Sequence, residues 1–158
     1  LGLEQTALPF TEEGLSGVSG HGAGEPVDVP DHYGRPCAAG GLGSTAEDLV
    51  TFWHAFLGGQ IVSSGTVRAM FTDLAPMDES SRMFYGRGVQ LYDIPQGPGL
   101  MLGHSGGITG FTSIVAYLVD DDMFVAVIFN DQKTPAEAGL WAVVRAVRRS
   151  RPGVGLDL

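Results

Sequence analysis

Residues 123–129 read Met-Phe-Val-Ala-Val-Ile-Phe, seven apolar side chains with no polar one between them. In a strand, successive side chains point to opposite faces, so this run leaves neither face for water. Such a strand has to be covered on both sides by helices. The chain is therefore expected to be α+β, an antiparallel β-sheet flanked by helices. The neighbouring elements agree. Phe111–Val119 is a second β-rich run, joined to Met123–Asn130 by Asp120-Asp121-Asp122, a hairpin by length and turn chemistry. Tyr85–Tyr92 and Leu100–Gly106 read as two further strands.

Helix signals lie on either side of these strands. Ser44-Thr45-Ala46-Glu47 has the form of a capping box, with Ser44 as the expected cap. Leu49, Phe52, Trp53 and Phe56 follow as one apolar stripe, and Gly58-Gly59 stops the helix. A shorter helix is expected over Ser64–Phe71. Thr134-Pro135-Ala136-Glu137 opens a third, with Thr134 as cap and Leu140, Val143, Val144 and Val147 as its buried stripe. Residues 1–44 are rich in Gly, Pro and Ser and read as loop, with one short strand around Glu25–Val29.

The 158 residues suffice for one domain, and 44% hydrophobic with 17% charged residues is a globular composition. A net charge of −9 argues against a nucleic-acid partner, because the field of the chain repels phosphate. The single cysteine, Cys37, excludes an intrachain disulfide. No apolar run reaches the roughly 18–20 residues of a membrane helix. The chain opens at Leu1 and is read as beginning mid-protein.

Gly103-His104-Ser105-Gly106-Gly107 fits the G-x-S-x-G pattern of a nucleophile elbow, with Ser105 as attacker. An elbow needs a helix after the serine, then an acid and a histidine further along. Instead, Ile108-Thr109-Gly110 leads into a strand-like run, and the four histidines (21, 32, 54 and 104) all precede Ser105. The elbow is rejected on chain order. Two metal-site readings are also weak. His21, His32 and Cys37 match no zinc spacing, and Asp120–Asp122 lacks the spacing of a calcium loop. His54 reads as a partly exposed helix residue.

Several stretches, taken in order, resemble one family. LGHSGGITGF is similar to the His-Ser/Thr-Gly form of the Lys-Thr-Gly strand of penicillin-binding proteins and serine β-lactamases. AAGGLGSTAEDLVTFWHAFLGG resembles the Gly-Gly-Leu-x-Ser-Thr-Ala-x-Asp-Leu helix of the branch holding class C β-lactamases, D-alanyl-D-alanine carboxypeptidases and related esterases. YGRGVQLY resembles its Tyr-Gly-x-Gly strand, VAVIFN its last strand, and Leu1–Thr6 the segment after its central helical region. The resemblance covers nearly the whole chain in the correct order.

It implies acyl transfer by a serine of Ser-x-x-Lys, with a Lys and a Tyr moving protons and no metal or organic cofactor. Yet the one lysine, Lys133, has Asn130 three positions before it, and no tyrosine has Asn two positions after it. The chain is thus expected to be the C-terminal part of such a domain, residues 1–158 lacking the nucleophile-bearing part. About 150–200 residues are expected upstream, from ordinary domain sizes. Half a domain is also expected to leave an open sheet edge and one uncovered face.

By the resemblance, His104 and Gly107 are the catalytic candidates, His104 in place of the family's Lys and Gly107 as a donor in the oxyanion hole. Ser105 and Gly106 are the substrate-binding candidates, Ser105 as hydrogen-bond donor and Gly106 admitting close approach of the substrate backbone. Tyr85 and Gly86 either border the cleft or are structural. The implied partners are a D-amino-acid peptide, a β-lactam or an ester, and the missing part of the same domain. A bacterial enzyme, extracytoplasmic or cytoplasmic, is implied for the parent. A non-catalytic module or an inactive half-domain stays open as the alternative.

Overall fold

The computed structural model describes residues 1–7, 18–28, 39–77, 79 and 82–151. His32 and Cys37, weighed above as metal ligands, lie outside these residues. The elements in chain order are β1 (His21–Gly22), β2 (Glu25–Pro26), α1 (Ala46–Leu57), α2 (Ser64–Met70), β3 (Ala75–Pro76), β4 (Met83–Tyr85), β5 (Gln90–Ile94), β6 (Gly99–Ile108), β7 (Phe111–Leu118), β8 (Met123–Phe129) and α3 (Ala136–Ser150). Strands β3 to β8 form one antiparallel sheet in sequential order, and β1 pairs with β2 as a separate ribbon.

The all-apolar run is β8, and both of its faces are covered. Met123, Val125, Val127 and Phe129 share a face with Ile114, Ala116 and Leu118 of β7 and pack under Ala136, Leu140 and Val144 of α3. Phe124 and Ala126 share the other face with Val115 and Tyr117, against Trp53 and Phe56 of α1 and Val67 of α2. Two hydrophobic clusters therefore sit on opposite sides of the same strands, a helix–sheet–helix sandwich. The expected uncovered face is occupied by α1 and α2. The expected open edge is present: among the described residues β8 has no strand on its outer side, apart from one bridge between His21 and Asp131.

Local details correct the sequence reading. The single strand expected over Tyr85–Tyr92 is a hairpin, β4 and β5. Gly88 at φ +74° and a bond from the Gly86 N–H to the Val89 carbonyl (2.8 Å) turn the chain within it. Glycine is required at 86 as well, because a Cβ there would strike the Met70 carbonyl. The cap of α1 is Thr45, whose hydroxyl accepts from the Asp48 N–H at 3.2 Å; Ser44 instead contacts the Thr6 hydroxyl. Thr134 does not cap α3; its hydroxyl donates to Asp131, and Pro135 holds the cap position. Phe52 and Val143 lie at the rims of their stripes and are 39% and 40% exposed, while Ala136 joins Leu140 and Val144 in the core. The strand expected at Glu25–Val29 is the two-residue β2.

Among the described residues no helix is long and apolar enough to cross a membrane, and no group of three or more His, Cys, Asp or Glu could hold a metal ion.

Candidate functional site

His104, Ser105, Gly106 and Gly107 all lie on β6, whose partner β7 is reached through the two-residue turn Thr109-Gly110. Gly110 takes φ +86° while Thr109 keeps a negative φ, the pattern of a type II turn, whose second central position calls for glycine. Ser105 is thus mid-strand, opposite Ile114, and a strand rather than a helix comes after it. The elbow geometry is absent.

Register decides where the backbone donors point. A two-residue hairpin makes Ile108 and Phe111 a hydrogen-bonded pair, and pairs alternate from there. The N–H groups of Gly107 and Ser105 therefore turn away from β7, toward the β5 side. The Ser105 N–H bears out this direction by donating to Gln90 Oε1 at 2.7 Å. But β5 pairs with β6 only as far as Gln90 opposite Gly103. Two residues beyond Ser105, the Gly107 N–H projects past the end of β5, from a strand edge that is bare among the described residues.

The glycines here have different reasons. A Cβ on Gly103 would run into the Val115 carbonyl and Ala116, so that glycine is required by strand packing. A Cβ on Gly106 would come within 3.0 Å of Ser113 Oγ, a tight but yielding contact. A Cβ on Gly107 would meet nothing within 4 Å. Among the described residues, no packing contact requires glycine at 107.

Alternation puts the His104 side chain on the α1 face and Ser105 on the α3 face, so these two do not sit side by side. They meet at the strand edge instead. His104 Nδ1 lies 2.6 Å from the Ser105 carbonyl oxygen, and Nε2 lies 3.0 Å from the Tyr85 hydroxyl. A carbonyl only accepts, so Nδ1 carries the proton, and in the neutral ring Nε2 accepts from Tyr85. The Tyr85 and His104 rings stand edge to face, with centroids 5.5 Å apart. Tyr85, left undecided by the sequence, orients His104, while the Ser105 carbonyl fixes its tautomer.

Ser105 rests on a buried polar pair that the sequence reading missed. Gln90 Oε1 accepts from the Ser105 N–H, from Ser105 Oγ at 3.2 Å and from the Tyr92 hydroxyl. Gln90 is 5% and Tyr92 1% exposed. Burial raises the Tyr92 phenol above its ordinary value, partly offset by hydrogen bonding with Ser105. The phenol stays a donor at neutral pH. A signal was present: Gln90 is a polar residue at a core-facing position of a strand that also turns Tyr92 inward. Upstream, Trp53 Nε1 donates to the Leu102 carbonyl at 2.9 Å, pinning β6 to α1 two residues before His104.

A bare backbone donor on a strand edge, preceded by an oriented imidazole and a supported serine, fits the His-Ser-Gly strand of one family. The family model described as Beta-lactamase matches residues 1–149. The chain belongs to the β-lactamase family. Solved structures agree on the fold. The D-amino acid amidase of Ochrobactrum anthropi SV3, complexed with D-phenylalanine, superposes with a TM-score of 0.73 at 23% identity, over 94% of this chain and 50% of that one. A β-lactamase/D-alanine carboxypeptidase from Pseudomonas syringae gives 0.65 at 18% identity, over 96% and 50%. A penicillin-binding protein from Bacillus halodurans gives 0.56 at 21%, over 68% and 32%. This β-lactamase-family chain thus spans about half the length of the amidase it matches. No curated protein matches its sequence.

Proposed function

We propose that this chain supplies the carbonyl-binding wall of a serine hydrolase that cleaves amide, β-lactam or ester bonds through an acyl-enzyme. The acylated serine is donated by polypeptide outside these 158 residues. The observation that carries the reading is the Gly107 N–H, projecting from β6 where β5 has ended, at a glycine that packing among the described residues does not require. As a serine oxygen adds to the substrate carbonyl, negative charge gathers on the carbonyl oxygen, and a fixed backbone N–H receives it without reorganisation. Ser105 Oγ, whose single proton rests on Gln90 Oε1, reaches the substrate's carboxylate or carbonyl as a donor by exchanging that bond for one to the substrate. The exposed Gly106 lets the substrate backbone lie flat on the strand. His104 presents Nε2, backed by Tyr85, where the family's lysine would stand. The lack of Ser-x-x-Lys and Tyr-x-Asn supports an external nucleophile. Amides of D-amino acids are the first substrates to try, since one structural neighbour is a D-amino acid amidase.

Two preparations test this. The 158-residue chain, treated with a fluorescent penicillin or an activated ester, gains no covalent adduct by mass spectrometry. A longer polypeptide that continues this chain upstream through a Ser-x-x-Lys is labelled on that serine. In it, Gly107→Pro, which removes the N–H, slows acylation by about 10²–10³-fold. An adduct on Ser105 of the short chain overturns the assignment, and an unlabelled longer protein supports a binding module instead. In the longer protein His104→Lys also alters the pH–rate profile, since lysine stays charged near neutrality where an imidazole can lose its proton. Superimposable profiles remove that role.

A further inference from the structure

A second concave site lies at the other end of β7, next to the Asp120–Asp122 tip rather than the Thr109-Gly110 turn. It is a cavity of about 290 Å³ lined by His54, Leu57 and Gly58 from the last turn of α1 and by Tyr117, Asp122 and Phe124 from the hairpin. It shares no residue with the site on β6. We propose that this cavity binds a small organic ammonium ion, a function separate from the acyl-transfer reading.

Three rings form its corner. Tyr117 and Phe124 lie 4.8 Å apart, tilted by 35°, and the His54 and Phe124 rings form a T-shaped pair at 5.1 Å. Aromatic faces carry the negative part of the ring quadrupole, so a cation seated against Tyr117 and Phe124 is attracted without a formal countercharge. A formal charge is present too. The Tyr117 hydroxyl donates to Asp122 Oδ1 at 2.9 Å, which fixes the carboxylate at the rim. That hydrogen bond raises the Tyr117 phenol above its ordinary value, so it remains a donor across the neutral range.

The hairpin carboxylates are not equivalent. Asp121 is taken by Arg148 at 2.6 Å on the α3 side, whereas Asp122 has no cationic partner among the described residues. The cavity also receives the C-terminal end of α1, the negative pole of its dipole, in a chain of net charge −9. Carboxylate, ring faces and helix end all select a cation. Leu57 and the rings select one with an apolar body, which excludes a bare metal ion. The volume lies near the lower bound of small-molecule sites, roughly 300–1,000 Å³.

The test pairs choline with its uncharged isostere 3,3-dimethylbutan-1-ol, titrated into the chain and followed by amide shifts of Gly58, Asp122 and Phe124. Choline gives saturable shifts at these amides, and the isostere binds at least about five-fold more weakly. Asp122→Asn, at an exposed turn position whose φ of +48° asparagine tolerates, weakens choline binding by a similar factor, as does Phe124→Leu, which keeps the apolar volume. Equal affinity for the two probes, wild-type affinity in Asp122→Asn, or no saturable shift at the cavity amides overturns the proposal. Labelling by a penicillin tests the β6 site alone and bears on neither result.

Discussion

Gln90 shows how one buried side chain sets the geometry of an exposed one. Its oxygen gathers the Ser105 N–H, the Ser105 hydroxyl and the Tyr92 hydroxyl. Gln90→Leu keeps the volume and removes the acceptor, leaving buried donors unpaired at about 1–3 kcal/mol. A urea midpoint equal to wild type would show that the three donors find other partners. Tyr92 adds a pH signature. Its pKa is raised by burial, so the folded state holds this proton more tightly than the unfolded chain. Its contribution is complete below the ordinary phenol value and is lost as pH climbs through the folded one. Between about pH 9 and pH 11 the stability of Tyr92→Phe therefore falls less steeply than that of wild type. Equal slopes in denaturation series would refute this.

At the scale of elements, α3 is fastened by Arg148. Its guanidinium donates to both Asp121 oxygens and to the carbonyls of Gly97 and Pro98, joining the last turn of the helix to two hairpins. The pair is mostly but not wholly buried, with side chains 18% and 9% exposed. Removing the cation strands Asp121, and Arg148→Leu is expected to lower stability by about 3 kcal/mol, the low end for a buried pair. A melting temperature within a degree or so of wild type would contradict that. The other face is fastened by α1. Asp48 accepts from the Gln5 N–H at 2.9 Å and the Thr6 hydroxyl at 2.7 Å, drawing the first residues onto the helix start. Thr45, three residues before Asp48, is the cap although Ser44 begins an equally good capping box. Two adjacent hydroxyls satisfy the same local pattern, and the Ser44–Thr6 contact breaks the tie.

For the whole molecule, the outer side of β8 is a strand edge left open among the described residues. An unpaired strand edge offers main-chain donors and acceptors to any other strand, and the exposed Ile128 marks this one as unguarded. Self-association that grows with concentration is expected in sedimentation velocity, and Ile128→Lys is expected to reduce it by placing a charge on the edge strand. A chain that stays monomeric at all concentrations would show that the net charge of −9 suffices to keep the edges apart.

The sequence by itself determined the layered architecture, because seven consecutive apolar residues in β8 cannot meet water on either face. It also determined the helix positions and the rejection of Ser105 as an elbow, since periodicity and chain order are properties of a single line of residues. The resemblance supplied the family and the candidates on β6. Only the tertiary structure decided the rest. The split of Tyr85–Tyr92 into two strands depends on Gly86 lying against Met70, and the orientation of His104 depends on Tyr85 from a neighbouring hairpin. The support of Ser105 depends on Gln90 from another strand. The bareness of Gly107 depends on where β5 stops. Each of these is a contact between residues remote in sequence, set by strand register, and register is invisible until the strands are paired.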